Sequence, residues 1–174
     1  MEKLRSMKNM IKTSKEIRIV KDSDLDAVVK IEQNCFPHNE AATKSQIKDR
    51  ITSYGAHFFL LEIDNVIIGF INGMVSDNET IRDEMYENAN LHNEMGQWQM
   101  VFGLDVIEAH RKNGYASLLM KEMIEHAFNQ KRKGVALTCK KNLISFYEKL
   151  GFECTGQSQS IHGGVVWYDM KLTF

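Results

Sequence analysis

The chain has 174 residues, 43% of them hydrophobic and 26% charged, with a formal net charge of −1. That composition suits one soluble globular domain burying about 70% of its unfolded surface, and its near-neutral charge gives no electrostatic basis for nucleic acid or an anionic membrane as the main partner. No apolar run approaches the roughly 20 residues of a membrane span, and the lysine-rich start lacks the apolar core of a signal peptide.

In chain order, residues 1–16 are polar and basic (Lys3, Arg5, Lys8, Lys12, Lys15) and read as a loosely docked lead-in to a single domain over residues 17–174. Ile17 to Val20 predicts a strand. Ser23 to Asp26 predicts a capped helix start, with Leu25, Val28, Val29 and Ile31 as the buried stripe. Thr43-Lys-Ser-Gln46 is a second capping-box pattern, opening a helix that reaches Thr52. Two apolar runs, His57 to Ile63 and Val66 to Val75, flank Asp64-Asn65 as a hairpin. Asp77 to Gly96 is polar and acidic, with a short helix predicted near Arg82 to Tyr86. A stretch that long and polar inside a compact domain often carries function.

Trp98, Met100, Phe102, Leu104 and Val106 then alternate with Gln99, Val101, Gly103 and Asp105, as in a strand. From Ala116 onward, Leu119, Met120, Met123, Ile124, Ala127 and Phe128 recur at helical spacing. Gly134 to Thr138 predicts another strand. Asn142 to Leu150 predicts a short helix, with Asn142 as N-cap and Gly151 as the left-handed residue past its end. Phe152 to Cys154 and Val165 to Leu172 predict two last antiparallel strands.

The segment from Leu104 to Ala116 carries the most information. A strand runs into a basic, glycine-containing turn and then into the first turn of an amphipathic helix, aiming free N–H groups and the positive end of the helix dipole at one small volume. Such a volume suits a phosphate or pyrophosphate. A plain strand–helix connection with a solvated Arg111 is the alternative, and a single glycine loop does not decide between them.

A second motif does. Arg111, Gly114 and Ala116 match the acyl-CoA pattern of the GNAT superfamily of N-acetyltransferases, and Asn142, Tyr147, Gly151 and Phe152 match its later pattern, in the right order with one strand between. Cys35-Phe36-Pro37-His-Asn-Glu40-Ala41-Ala42-Thr43 further resembles the arylalkylamine N-acetyltransferase-like branch. The resemblance implies an α/β GNAT fold, a mixed and mostly antiparallel sheet of about six to seven strands flanked by about four helices, with a splayed strand pair binding acyl-CoA. It implies acetyl-CoA as co-substrate and acetyl transfer to an amine by direct attack in a ternary complex. Main-chain groups of Leu104, Asp105 and Val106 would pair with the pantetheine arm after the central strand splays beyond Val106. Backbone N–H groups of Arg111, Lys112, Asn113, Gly114, Tyr115, Ala116 and Ser117 would hold the pyrophosphate. Asn142 would bond the cofactor arm, or serve only as a helix cap.

Acetyl transfer needs a base for the ammonium and an acid for the departing thiolate. Tyr147 matches the family's general acid; a phenol with pKa near ~10 is protonated at neutral pH. The histidine pair of the vertebrate branch is absent, its positions holding Met100 and Phe102. Glu40, whose setting resembles the insect branch, is then the best base, and a surface or capping role for it stands beside that reading. Glu62, Asp105 and Glu108 rank below it, and His38 is the one histidine close to the motif.

Phe36, Tyr54, Trp98, Trp167 and Tyr168 are either an aromatic clamp for the acceptor or core residues. Arylalkylamine, polyamine, amino sugar and peptide N-terminus all stay open as acceptors, as does a non-catalytic acyl-CoA-binding domain. Cys35, Cys139 and Cys154 show no metal-ligand spacing, so reduced thiols, no metal and a cytoplasmic protein, monomer or homodimer, are expected.

Overall fold

A computed structural model describes residues 13–174; the basic stretch 1–12 of the expected lead-in lies outside the described residues. The described residues run β1 (Lys15–Ile19), α1 (Leu25–Cys35), α2 (Lys44–Tyr54), β2 (Phe58–Ile63), β3 (Val66–Asn72), β4 (Val75–Ser76), α3 (Glu84–Glu87), β5 (Trp98–Val101), β6 (Gly103–Val106), α4 (Tyr115–Asn129), β7 (Gly134–Cys139), α5 (Ile144–Glu148), β8 (Glu153–Gln157) and β9 (Tyr168–Thr173). The α/β architecture is the expected one, with nine strand segments and five helices among the described residues. None of those helices is long and apolar enough to cross a membrane.

Local chemistry places most of these elements. Gln46 N–H donates to Thr43 Oγ1 at 3.2 Å and Thr43 N–H to Gln46 Oε1 at 2.8 Å, closing the reciprocal cap of α2. The cap before α1 falls two residues earlier than expected: Lys21 N–H donates to Asp24 Oδ2 at 2.7 Å across a 3-10 turn, and Arg18 ties Asp24 to Glu62. Asp64 and Asn65 take positive φ of 50° and 64°, the geometry that lets a two-residue turn follow the twist of β2 and β3. Gly151 takes φ 94° after α5, as its position predicts. Asn142 does not cap that helix; it sits within a 3-10 turn (Lys141–Leu143) whose caps use no side-chain bond. Phe128 also departs from expectation. Leu119, Met120, Met123 and Ala127 are the residues of α4 that enter the core, while Phe128 is exposed with its ring edge-on to Phe174.

The strands form two sheets, β1-β2-β3-β6 and β4-β5-β7-β9-β8, linked by the short connections from β3 to β4 and from β5 to β6. Val28, Ile31, Ile47 and Ile51 of α1 and α2 cover one face, against Phe58, Leu60 and Phe70. The inward stripe of α4 covers the other, against Phe59, Leu61, Ile71 and Val101. With helices on both faces, the middle strands are buried on both sides, which is why hydrophobic alternation along them is weak.

Two irregularities in the middle strands build the site. Between the partner pairs Val75/Gln99 and Asn72/Gly103, two residues (Gly73 and Met74) face three (Met100, Val101 and Phe102). This β-bulge reverses the side-chain phase. Met100 and Phe102 lie with Tyr54 and Tyr86, whereas Leu104 and Val106 join the α4 cluster, so the single alternation predicted over Trp98 to Val106 breaks at Phe102. A Cβ on Gly73 would lie 1.8 Å from the Met100 carbonyl oxygen, so only glycine permits this approach. Secondly, β5 pairs in parallel with β7 from Trp98↔Gly134 to Val101↔Leu137, and among the described residues no pairing joins β6 to β7. The strands therefore part after Val101, earlier than the expected Val106.

Candidate active site

A cleft of about 780 Å³ occupies the opening between β6 and the end of β7. Leu104, Asp105 and Val106 line one side, and the turn that precedes α4 closes one end. In that turn Lys112 and Gly114 take positive φ of 62° and 78°, where a residue with a Cβ loses about 1–2 kcal/mol. The bond from Leu118 N–H to the Gly114 carbonyl, at 3.0 Å, leaves the N–H groups of Tyr115, Ala116 and Ser117 pointing out of the helix start. Asn113 Nδ2 donates to the carbonyls of His110 and Arg111, both at 3.1 Å, and so stiffens the loop. A pocket of aligned donors at a positive dipole end receives an anion.

Arg111 sits at the cleft, but its Nε donates to the Val106 carbonyl at 2.9 Å, so the side chain clasps the end of β6 as well as contributing charge. Asn142 lines the opposite wall.

At its inner end the cleft meets a second chamber of about 110 Å³. Phe36, Glu40, Leu104, Leu143, Tyr147 and Trp167 line both spaces. Tyr147 is buried on α5, its ring edge-on to Phe146 and Phe152 at 4.9 and 5.8 Å. Burial pushes its phenol well above the ordinary tyrosine range, so the hydroxyl keeps its proton. Glu40 is buried, and its Oε1 accepts from Lys140 Nζ at 2.9 Å. Lys140 also lies 5.8 Å from the centre of the Trp167 ring.

The wall of the inner chamber is aromatic: Tyr86 stacks on His162 at 4.5 Å, and Phe102 lies 5.1 Å from Tyr86. Asp83, from the polar insertion, accepts from Ile161 N–H at 3.0 Å and from the Ser160 hydroxyl. The insertion thereby holds the β8–β9 loop that carries His162 and Trp167.

Of the aromatic residues considered from sequence, Phe36 and Trp167 reach both spaces; Tyr54 and Trp98 are core residues. His38 is exposed and lines neither space. Glu62 is held by Arg18, and Glu108 is exposed in a 3-10 turn. Away from the cleft, Glu94 Oε2 meets His57 Nε2 at 2.9 Å and His92 Nε2 at 3.1 Å. Because Val75 N–H donates to His92 Nδ1, Nε2 of that ring carries the hydrogen and donates to Glu94, a hydrogen-bond network with no lone pair on His92 turned toward a cation. Sequence reasoning missed Lys140, Arg50 and Glu32. Glu32 left one trace, since it falls four residues after the buried Val28, on the apolar stripe of α1.

The profile of the acetyltransferase (GNAT) family matches residues 25–152. Human N-acetyltransferase 8 is 26% identical over 119 residues, covering 67% of this chain and 45% of that protein. Serotonin N-acetyltransferase of Mesocricetus auratus is 26% identical over 106 residues, covering 60% of this chain and 50% of that one. The chain thus spans about half the length of these relatives. Naa50 of Arabidopsis thaliana, solved in complex with the bisubstrate analogue CoA-Ac-MVNAL, shares the fold, with a TM-score of 0.69 at 19% identity over 92% of this chain and 99% of that chain. With the family profile covering well over half its length, across both motifs and the strands that splay between them, the chain belongs to the acetyltransferase (GNAT) family.

Proposed function

We propose that this protein transfers the acetyl group of acetyl-CoA to a primary amine by direct attack within a ternary complex. One observation carries the reading: Tyr147, buried and held protonated, lines both the long cleft and the inner chamber. The pantetheine arm lies along the free side of β6, like an added strand, and the pyrophosphate sits on the N–H groups from Arg111 to Ser117. Gly114 offers no side chain to obstruct it, and Asn142 bonds the arm from the opposite wall. An amine in the inner chamber then meets the thioester carbonyl. The N–C bond forms, the C–S bond breaks, the thiolate takes the phenolic proton of Tyr147, and the nitrogen of the new amide gives up its surplus proton to restore the phenol.

Glu40 lines both spaces and is already paired with Lys140. Accepting a proton there would leave the Lys140 ammonium without its counter-ion, so this geometry suits Glu40 to holding a cationic amine at the entrance. Phe36, Phe102, Tyr86 and Trp167 favour an acceptor with an aryl or alkyl body, in line with the relative named for serotonin. Polyamines and peptide N-termini are the competing classes, the latter because of the peptide-bearing analogue bound to Naa50.

The test is coenzyme A release from acetyl-CoA across arylalkylamines, polyamines, amino sugars and short peptides. Selective release with an arylalkylamine is the expected result. Silence across the panel, with acetyl-CoA binding intact, overturns the transfer reading and leaves an acyl-CoA-binding protein.

A further inference from the structure

We propose that Arg50 is the carboxylate-binding residue of the inner chamber, and that the acceptor is an amino acid with an aryl or alkyl side chain. This rests on the acetyl-transfer reading above and narrows its substrate class: among arylalkylamines, the preferred acceptor carries a carboxylate.

Arg50 stands on the buried stripe of α2, with Ile47, Ile51 and Tyr54. It is 5% exposed and lines the inner chamber. Among the described residues its guanidinium makes one hydrogen bond, from Nη2 to the Tyr86 carbonyl at 3.0 Å, and no ion pair. Its Nε is buried without a partner. The guanidinium carbon lies over the Phe102 ring, 5.4 Å from the ring centre, which covers one face of the fork and leaves its N–H edges for a partner.

A buried cation without a matching anion is costly. A strut that only held the Tyr86 carbonyl would need one donor and no charge. The acids of the same chamber do not supply the match. Glu32 Oε1 accepts from the Ala42 N–H at 2.7 Å and Glu40 Oε1 from Lys140 Nζ at 2.9 Å, and Oε2 of each is buried without a partner. The unmatched guanidinium therefore fits an anion brought in by the acceptor, and its planar fork suits the two oxygens of a carboxylate.

The charges of the chamber select a zwitterion. Among the described residues, Arg50 is the one lysine or arginine that lines it, beside the acids Glu32 and Glu40. A phosphate dianion would need more positive charge than that. An amine with no acid group would leave Arg50 unmatched. An amino acid answers both, with its ammonium beside the acids and its carboxylate on Arg50. Position agrees, since Arg50, Tyr86 and Phe102 line the inner chamber and not the long cleft, whereas Glu40 and Tyr147 line both. The carboxylate points inward, the amine faces the thioester beside Tyr147, and the side chain rests on the aromatic wall.

The experiment measures kcat/KM for phenylalanine and leucine, each against its amide and its decarboxylated amine, with wild type, Arg50→Gln and Arg50→Lys. The amide is the stringent reference: its amine deprotonates at least as readily as that of the amino acid, so a preference for the acid cannot come from amine basicity. Wild type should favour one or both amino acids over the matching amide by at least about tenfold. Arg50→Gln should shrink that ratio by at least about tenfold, with Arg50→Lys in between. An Arg50 that is only structural lowers both rates together and leaves the ratio where it was. That result overturns the proposal, as does a wild type that takes the amides or plain amines as well as the amino acids, and acetyl transfer still stands in either case. Should both variants fail to fold, the wild-type ratio decides alone. Wild type inert toward every amine and amino acid sinks the acetyl-transfer reading instead. Calorimetry with coenzyme A bound then decides the carboxylate site: binding of the amino acid over its amide supports it, and equal or absent binding overturns it.

Discussion

Replacing Gln99 by Leu removes the polar group that holds the central strands in their bulged geometry. Gln99 is fully buried. Its Nε2 donates to the carbonyls of Gly73, Met74 and Met100 at 3.0, 3.2 and 2.8 Å, and its Oε1 accepts from His57 Nδ1 at 2.8 Å. The Met74 carbonyl keeps a second donor, the Met100 N–H at 2.8 Å, so the loss falls on the other two carbonyls and on His57. Three weakened buried partners at about 1–2 kcal/mol each predict a loss of roughly 3–6 kcal/mol, a large share of a typical domain's stability. For a chain of this size that lowers Tm by about 6–24 °C. Far-ultraviolet circular dichroism with heat and with urea measures it. Acetyl-CoA affinity should fall in parallel, since the bulge sets where the chain parts from β7 between β5 and β6. A stability loss below about 1 kcal/mol would mean that the bulge is held by packing alone, and would refute this account.

Tyr147→Phe keeps the ring contacts with Phe146 and Phe152 and removes only the hydroxyl; kcat should fall by about a hundredfold or more with acetyl-CoA affinity little changed, as measured by steady-state kinetics and calorimetry. A Cβ at Gly114 meets no atom of the chain within 4 Å, yet φ 78° strains Gly114→Val, and on the proposed reading its side chain crowds the phosphates; equilibrium binding of acetyl-CoA should weaken about tenfold or more. Glu40→Gln should raise KM for a cationic amine more than it lowers kcat, because it takes away the charge beside Lys140 but leaves the acid in place. Acid should destabilise the fold through His126, whose pKa burial pushes down to about 4, with His57 and Arg132 adding to the effect. The neutral form is the one the fold prefers, so this stabilisation is complete above the unfolded pKa near ~6.5 and is lost as pH falls toward about 4. Since the ring is half-exposed, the loss is about 1–2 kcal/mol after allowing for solvent screening, and urea melts between those two pH values against His126→Gln measure it.

What was legible in the sequence is what depends on local chemistry. The Thr43/Gln46 cap, the Asp64-Asn65 turn, Gly114 and Gly151 each need a particular residue type at a particular position, and the structure has each of them there. The glycine turn and the Tyr147 helix were readable for the same reason. Long-range packing left fainter marks. The bulge at Phe102 is invisible because β3 and β4 on one side and β5 and β6 on the other decide it jointly, and the strand shows apolar residues on both faces anyway. Lys140 meets Glu40 across 100 residues of chain, and no spacing rule reaches that far. Glu32 was the readable omission: a carboxylate on the buried stripe of α1 demands a partner, and the Ala42 N–H supplies one at 2.7 Å.

These parts divide the work between main chain and side chains. On the proposed reading the cofactor is held chiefly by backbone: the free side of β6 and the N–H groups that open α4. Such contacts need a glycine, a strand break and a helix start, and they survive wide changes in side chains, as expected where a solved structure at 19% identity shares the fold. The acceptor chamber is made of side chains from α1, α2, the polar insertion and the β8–β9 loop, and changing any one of them reshapes it. Affinity for acetyl-CoA should therefore be robust to substitution, and amine selectivity fragile. A swap confined to Tyr86 and His162, which line the inner chamber and not the long cleft, should exchange one amine class for another while leaving the acetyl-CoA Kd within about twofold. Loss of acetyl-CoA binding in such a swap would show the two spaces to be one coupled site.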